Sequence, residues 1–357
     1  MILLGSTGSI GVNTLNIARE FGLEVETLVA GRNIALLQKQ VEEFRPRIVV
    51  VADPADCAKI EAPIVLSGQE GILEAIERSQ SALVVNALVG FLGLRPTLLS
   101  QKLGKRIALA NKESLVVAGK FIDTSRITPI DSEHFALWYA MQGKPKPKKL
   151  IITASGGALR DWPIEQMAKA TFAEALNHPN WSMGYKITID SATMTNKLFE
   201  LLEAYWLYGT KNLDAIIETK SIIHAIVEFV DGSSLLHASS ADMRLPIAFA
   251  LLGQVDRQIV EPVDFVALGA LEFRSIDVRR YPLWQIKEEL LQKPDLGVVI
   301  NAANEVAIER FRARKIGFFD MAQLIMQALK RFGTIEVNDI EDVFKIDKEV
   351  RDYVAAL

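Results

Sequence analysis

Cysteine is almost absent from this 357-residue sequence. Cys57 is the only one, so no disulfide can form within the chain, and a reducing cytoplasm is the expected setting. An excess of positive charge is also missing. With 40 Lys+Arg against 44 Asp+Glu the formal net charge is −4, which excludes bulk electrostatic attraction to nucleic acid. No apolar run reaches the ~20 residues that a membrane helix needs. The opening "MILLG" reads as a strand, so no secretory leader is expected. Neither nucleic acid nor a membrane is therefore an expected partner. What is present is ordinary core material, 50% hydrophobic and 24% charged residues, in a chain long enough for two or three domains.

The first part of the chain alternates short apolar runs, "ILLG", "VETLVAG", "RIVVVA", "APIVLS", "ALVVNAL" and "RIALA", with amphipathic stretches at 14–21, 34–44 and 71–79. Strand–helix alternation of this kind predicts a parallel sheet covered by helices. Near Pro129 the pattern changes, and "KPKPKK" leads into the strand "LIITAS". A long helix and the strands "SIIHAIVEFV" and "SSLLHAS" follow, which reads as α+β. From about Tyr281 the periodicity is helical. The expected class is α/β: a Rossmann-like domain at 1–130, a central α+β domain at 131–254, a linker at 255–280 and a C-terminal helical bundle at 281–357.

Between the first strand and helix stands "GSTGSIG", with Gly5, Gly8 and Gly11. Glycines there let the backbone approach a pyrophosphate at a helix N-terminus, although the spacing departs from G-x-G-x-x-G. The alternative is a tight turn without ligand. The second strand ends in Gly31, Arg32 and Asn33, where an NAD site would favour an acid on the ribose. A cation and an amide suit a 2′-phosphate, hence NADP rather than NAD; the competing reading is a solvated Arg at a strand end. "LANKES", with Asn111, Lys112 and Glu113, follows the last strand of this region, at the sheet edge where ligands bind, with a plain helix start as the competing reading.

"PIDSEH" separates Asp131 and Glu133 by one residue. In an extended segment both carboxylates would point to one side and favour a hard divalent cation. A helix start with Asp131 or Ser132 as cap is the competing reading. In "DSATMTNKLFE", Ser191 reads as a helix N-cap, and Asn196, Lys197 and Glu200 share one helical face. Ser, Asn and Lys suit a phosphate, and Glu200 would complete a carboxylate triad. Otherwise that face is a solvated Lys–Glu pair. "ASGG" adds backbone N–H groups and the Ser155 hydroxyl. His178 opens the segment of Trp181, His134 orients neighbours, and His224 and His237 read as structural.

Together "GSTGSIG", "AGRN", "LANKESLV", "DSEH", "SGG", "HPNWSMG", "DSATMTNK", "SIIHAIVEFVDGS", "DMRLPIA" and "NAANEVA" resemble, in order and nearly end to end, the 1-deoxy-D-xylulose 5-phosphate reductoisomerase family. The resemblance implies a homodimeric enzyme of the non-mevalonate isoprenoid route. It would isomerise a phosphosugar and reduce it with NADPH, using Mg²⁺, Mn²⁺ or Co²⁺. It implies cofactor contacts at Thr7, Gly8, Ser9, Ile10, Gly31, Arg32, Asn33, Asn111, Glu113 and Gly184, and metal ligands at Asp131, Glu133 and Glu200. Substrate contacts are implied at Lys112, Ser132, Glu133, Ser155, His178, Trp181, Ser191, Asn196, Lys197 and Glu200, with Lys112 and the three carboxylates catalytic. Residues 155–186 would form a flexible lid. Ala154, Tyr185 and Leu198 depart from the family's common residues while every implied ligand is kept. Two rival readings are another NADP-linked dehydrogenase, which would lack a placed cysteine nucleophile, and an inactive NADPH sensor, which would not need the triad.

Overall fold

The computed structural model describes residues Met1–Leu357. The chain packs into two compact units, Met1–Ser114 with Ile122–Asp131 and Asp242–Val260, and Leu115–Phe121 with Ser132–Ala241 and Glu261–Leu357.

The first unit is built on seven short strands: β1 (Ile2–Leu4), β2 (Thr27–Val29), β3 (Ile48–Val51), β4 (Ile64–Ser67), β5 (Leu83–Asn86), β6 (Arg106–Leu109) and β7 (Ile127–Pro129). All neighbours are parallel, in the order β4-β3-β2-β1-β5-β6-β7. The central strands are runs of Ile, Leu and Val because helices cover both faces of a parallel sheet. Strand order reverses between β1 and β5, so the loops after these two strands flank a topological switch point, where nucleotides bind in such sheets. The helix Ser9–Phe21 buries Leu15, Ile17 and Ala18 and ends at Gly22, whose φ of 63° a side chain would resist.

The segment 242–260, expected in the catalytic domain and the linker, belongs to this first unit instead. Its helix Arg244–Leu252 is apolar over most of its surface. It buries Ile247, Ala248, Ala250 and Leu251 in the same core as Leu15, Ile17 and Ala18. Such a face has to find an apolar partner whatever its distance along the chain.

The second unit holds a mixed sheet of β8 (Pro147–Ala154), β9 (Leu213–Glu218), β10 (Ile223–Phe229), β11 (Ser234–Ala238) and β12 (Phe273–Arg274), in the order β11-β10-β8-β9-β12. Only β8 and β9 are parallel. The helices Ser132–Met141 and Thr195–Tyr208 set Ala136, Leu137, Leu201 and Ala204 against Leu150, Ile152, Ala225 and Val227 of the sheet. The C-terminal part is helical, as its periodicity predicts, with long helices at Gly297–Arg312, Phe318–Phe332 and Ile340–Ala356. Gly297 is required there, since a Cβ would lie 2.0 Å from the Val116 carbonyl oxygen.

Candidate active site

At the switch point of the first unit, residues 5–11 fold back between β1 and the helix Ser9–Phe21. Gly5 has φ +88°, and a Cβ on it would come within 2.6 Å of the Ala87 carbonyl oxygen in the loop after β5. A Cβ on Gly11 would meet the Gly5 carbonyl oxygen at 2.2 Å. These two glycines close the loop. Gly8 and Ser9 are exposed and precede helical N–H groups that have no carbonyl partner in their own helix. Gln40 reaches from the helix Ile34–Phe44 to fix the loop, donating to the Ser6 carbonyl at 2.9 Å. Arg32 and Asn33 are exposed after β2. Asn33 is the cap of the helix Ile34–Phe44, accepting from Leu36 N–H at 3.2 Å, so its side chain has a local task.

Asn111 is buried, and its amide is spent on the fold. It donates to the carbonyls of Leu88 and Gly90 at 2.9 and 2.8 Å and to Glu113 at 3.1 Å, while its oxygen accepts from Ser114. It therefore shapes the loop after β5. Lys112 opens the short helix Lys112–Ala118 after β6 and donates to Asp131, just beyond β7, at 2.8 Å.

Asp131 is peptide-bonded to the helix Ser132–Met141, whose first turn carries Glu133. The expected extended arrangement is not formed, because the helix begins immediately. The carboxylates meet all the same: oxygens of Asp131, Glu133 and Glu200 all lie within 4.8 Å of one another. Glu200 comes from the helix Thr195–Tyr208 and is 1% exposed. It accepts from Asn196, and Lys197 donates both to Glu200 and, at 2.7 Å, to Glu133. The face predicted either as a phosphate clamp or as a solvated pair is buried. Three carboxylates against Lys112 and Lys197 leave net negative charge in a poorly hydrated place, and hard oxygen donors this close fit a divalent ion. The two ligand-bearing helices are tied together by a buried pair, His134 Nε2 to Glu203 at 2.9 Å, and by Tyr208 Oη donating to the His134 carbonyl at 2.8 Å.

A second cluster is made of hydroxyls. Ser155 follows β8, and Gly157, with φ +72°, lets this loop lie against the helix Tyr185–Thr193; a Cβ would be 2.6 Å from Ala192 Cα. Ser155 Oγ is 2.8 Å from His178 Nε2 and 3.4 Å from Ser191 Oγ. His178 Nδ1 accepts from the backbone N–H groups of Asn180 and Trp181 at 3.2 and 2.9 Å. That leaves the proton of the neutral ring on Nε2, which donates toward Ser155. Burial first, then the charges of Arg160 and Lys197, push the His178 pKa down to about 4. Ser191 is not an N-cap. It lies inside the helix Tyr185–Thr193, and the break before the next helix is made by Met194 at φ 67°.

Family profiles for 1-deoxy-D-xylulose 5-phosphate reductoisomerase match residues 1–119, its C-terminal domain 127–208, and a further C-terminal domain of the same enzyme 238–353. The chain belongs to the 1-deoxy-D-xylulose 5-phosphate reductoisomerase family. It is 59% identical to the reductoisomerase of Nautilia profundicola over 98% of both chains. It is 53% identical to that of Wolinella succinogenes over the whole of both. A crystal structure of the reductoisomerase with NADPH, fosmidomycin and magnesium matches with a TM-score of 0.93 at 35% identity, covering 99% of this chain and 97% of that one. The Zymomonas mobilis reductoisomerase with NADPH matches with a TM-score of 0.88 at 34% identity over the same shares.

Within this reductoisomerase fold, Ser132 donates to Glu133, and Trp181 is half-buried, edge-on to His224 with ring centroids 6.2 Å apart. Gly184, in the second unit, begins the helix Tyr185–Thr193 with open space at its Cα. Thr7 and Ile10 belong to the glycine loop, and a Cβ on Gly31 would point into open space. The family departures fit locally. Ala154 packs with Met194, Ile217 and Tyr281, Leu198 is buried, and Tyr185 donates to Glu309 at 3.0 Å. Sequence reasoning missed Arg160 and Asn180. Arg160 donates to the carbonyls of Ser155 and Thr219 at 2.7 and 2.9 Å, and Asn180 to Thr219 at 3.0 Å and Ser221 Oγ at 2.7 Å. Both hold the hydroxyl cluster from behind, and only the adjacency of Asn180 to His178 hints at it.

Proposed function

We propose that this chain isomerises 1-deoxy-D-xylulose 5-phosphate and reduces the product with NADPH to 2-C-methyl-D-erythritol 4-phosphate, a step toward isoprenoid precursors. The observation that carries this reading is the convergence of Asp131, Glu133 and Glu200. In the reading, these three hold a divalent ion, the backbone of 7–10 with Gly31, Arg32 and Asn33 holds the adenosine phosphates of NADPH, and Asn111, Glu113 and Gly184 shape its other end. When bound, the ion supplies Lewis-acid polarisation of the substrate's ketone and hydroxyl oxygens, and NADPH supplies the hydride.

The remaining work falls to the side chains. Ser155, Ser191, Asn196 and Lys197 donate to the phosphate, and neutral His178 adds its Nε2–H. Phosphate binding far from the reacting carbons offsets the cost of ordering the site. Lys112 and Ser132 orient the sugar oxygens. Residues 155–186, with Trp181, cover the substrate and keep fragments of the rearranging skeleton from water. NADPH oxidation with 1-deoxy-D-xylulose 5-phosphate, with and without Mg²⁺ or Mn²⁺, tests the reading. Metal-dependent turnover is expected. NADPH binding without turnover at saturating metal would support a sensor instead.

The reading extends to a homodimer in the cytoplasm. No helix is long and apolar enough to cross a membrane, and Cys57 is free. Strand β11 is an edge of its sheet with Leu235 and Leu236 exposed, beside the exposed Trp138 and Tyr139 of a neighbouring helix. An apolar sheet edge favours pairing with a second copy. Light scattering should give twice the 39.5 kDa chain mass, and a monomer at micromolar concentration would remove the dimer.

A further inference from the structure

The "NAANEVA" stretch lies on the helix Gly297–Arg312 and supplies none of the groups discussed so far. Ala302 and Ala303 are fully buried, which brings this helix close to its neighbours. Asn304, also buried, uses its amide on one target and donates to Asp190 Oδ1 at 2.7 Å. The other carboxylate oxygen of Asp190 accepts from Lys186 Nζ at 2.8 Å, and that ammonium lies 5.1 Å from the centre of the Phe199 ring. Asp190 and Lys186 are 2% and 6% exposed, so the pair is held in a poorly hydrated place and its geometry matters.

Asp190 immediately precedes Ser191 on the helix Tyr185–Thr193, and Lys186 stands one turn earlier, where the lid segment ends. The same pair of helices is tied a second time where Tyr185 Oη donates to Glu309 at 3.0 Å. The helix Gly297–Arg312 is in turn fastened to the last helix, because Glu305 accepts from Arg351 at 2.7 Å. The Ser191 hydroxyl therefore sits on a nine-residue helix gripped at its start and near its end by one partner.

We propose that Asn304 is a positioning residue for the phosphate end of the substrate site. It acts through Asp190 to fix the depth and rotation of the helix that presents Ser191, with Lys186 as the charge partner. The inference rests on the reading of Ser191 as a phosphate contact. Loss of the Asn304 amide leaves Asp190 held by Lys186 alone and lets the Ser191 hydroxyl drift, which weakens anion binding and leaves the metal cluster and the cofactor loop intact.

The test compares Asn304→Ala and the isosteric Asn304→Asp with Ser191→Ala. The measurements are KM for 1-deoxy-D-xylulose 5-phosphate, kcat, inhibition by inorganic phosphate, NADPH affinity and melting temperature. For Asn304→Ala, KM should rise and phosphate inhibition weaken by about tenfold, with kcat within about threefold and NADPH affinity, to which Gly184 at the start of the same helix would contribute, changed by much less than KM. Asn304→Asp keeps the volume but sets a carboxylate against Asp190, so its loss should be at least as large. A lowered melting temperature with unchanged KM and unchanged phosphate inhibition would reduce Asn304 to a packing residue and overturn the proposal. If Asn304→Ala does not fold, Asn304→Asp decides by the same readouts. If Ser191→Ala weakens both anion measurements and the Asn304 variants do not, the inference fails while the phosphate reading stands. If Ser191→Ala itself changes neither, the phosphate reading fails and takes the inference with it.

Discussion

The glycine loop and the carboxylate cluster are built by opposite means. At the glycine loop the protein offers backbone, with Gly8, Ser9 and Arg32 exposed and the shape set by close approaches of Gly5 and Gly11. At the carboxylate cluster it offers charged side chains, and Lys112, Asp131, Lys197 and Glu200 are each less than a tenth exposed. An exposed group can be lost at the cost of its own contact. A buried charge that loses its partner keeps its desolvation penalty without compensation. Substitutions in the two places should therefore differ in kind, with binding affected at one and both stability and chemistry at the other.

The largest effect is expected from Lys197→Met. It removes the ammonium shared by Glu133 and Glu200, and without metal the variant should lose about 3–5 kcal/mol of stability, the usual cost of breaking a buried pair. Saturating Mg²⁺ should restore much of that loss, because the cation takes over the counter-charge. Urea unfolding with and without Mg²⁺ measures both. A loss below about 1 kcal/mol would class the pair with exposed ion pairs and erase the contrast.

Arg32→Ala belongs to the other half. The fold should be untouched, and NADPH binding should weaken about 10–100-fold, the worth of a charge-assisted contact to phosphate. NADH binding should stay the same. Equal losses for the two cofactors would detach Arg32 from the 2′-phosphate.

His178 gives the smallest expected effect. Its folded pKa of about 4 lies below the ordinary 6.5, so between these values the unfolded chain takes up a proton that the folded one refuses. Stability is undiminished above pH 6.5 and falls as the pH drops toward 4. The fall amounts to at most about 2 kcal/mol by pH 5, and less because the ring is partly open to solvent. His178→Gln should lose less stability than the parent between pH 7.5 and 5.5. Parallel pH dependence of the two would place His178 outside a dry, cationic environment.

The contrast also governs what could be read before the structure. The strand–helix alternation and the loop at 5–11 are local patterns, and local geometry reproduces them. The motifs "DSEH" and "NKLFE" each stand out locally, but Glu200 is far along the chain from Asp131 and Glu133, and only the family resemblance joins them as metal ligands; Glu133 itself sits in a helical turn rather than an extended segment. Ser191 was misread as a cap, since nothing nearby announces that Met194 takes the left-handed turn. The return of Asp242–Val260 to the first unit was missed for a different reason, as was the pairing of Asn304 with Asp190. Periodicity tells that a face must be covered and is silent about which distant segment covers it.

If Glu200, with Asp131 and Glu133, holds a catalytic divalent ion, Glu200→Gln should alter the metal dependence of turnover. The variant keeps size and helix propensity and removes one ligand charge. Activity titrated against Mg²⁺ or Mn²⁺ should shift to much higher metal concentration. The maximal rate should fall on the order of a hundredfold or more, since Lewis-acid stabilisation is worth several kcal/mol, with NADPH binding retained. Titration curves that overlap those of the parent protein would contradict the claim and leave Glu200 as a buried partner of Lys197 alone.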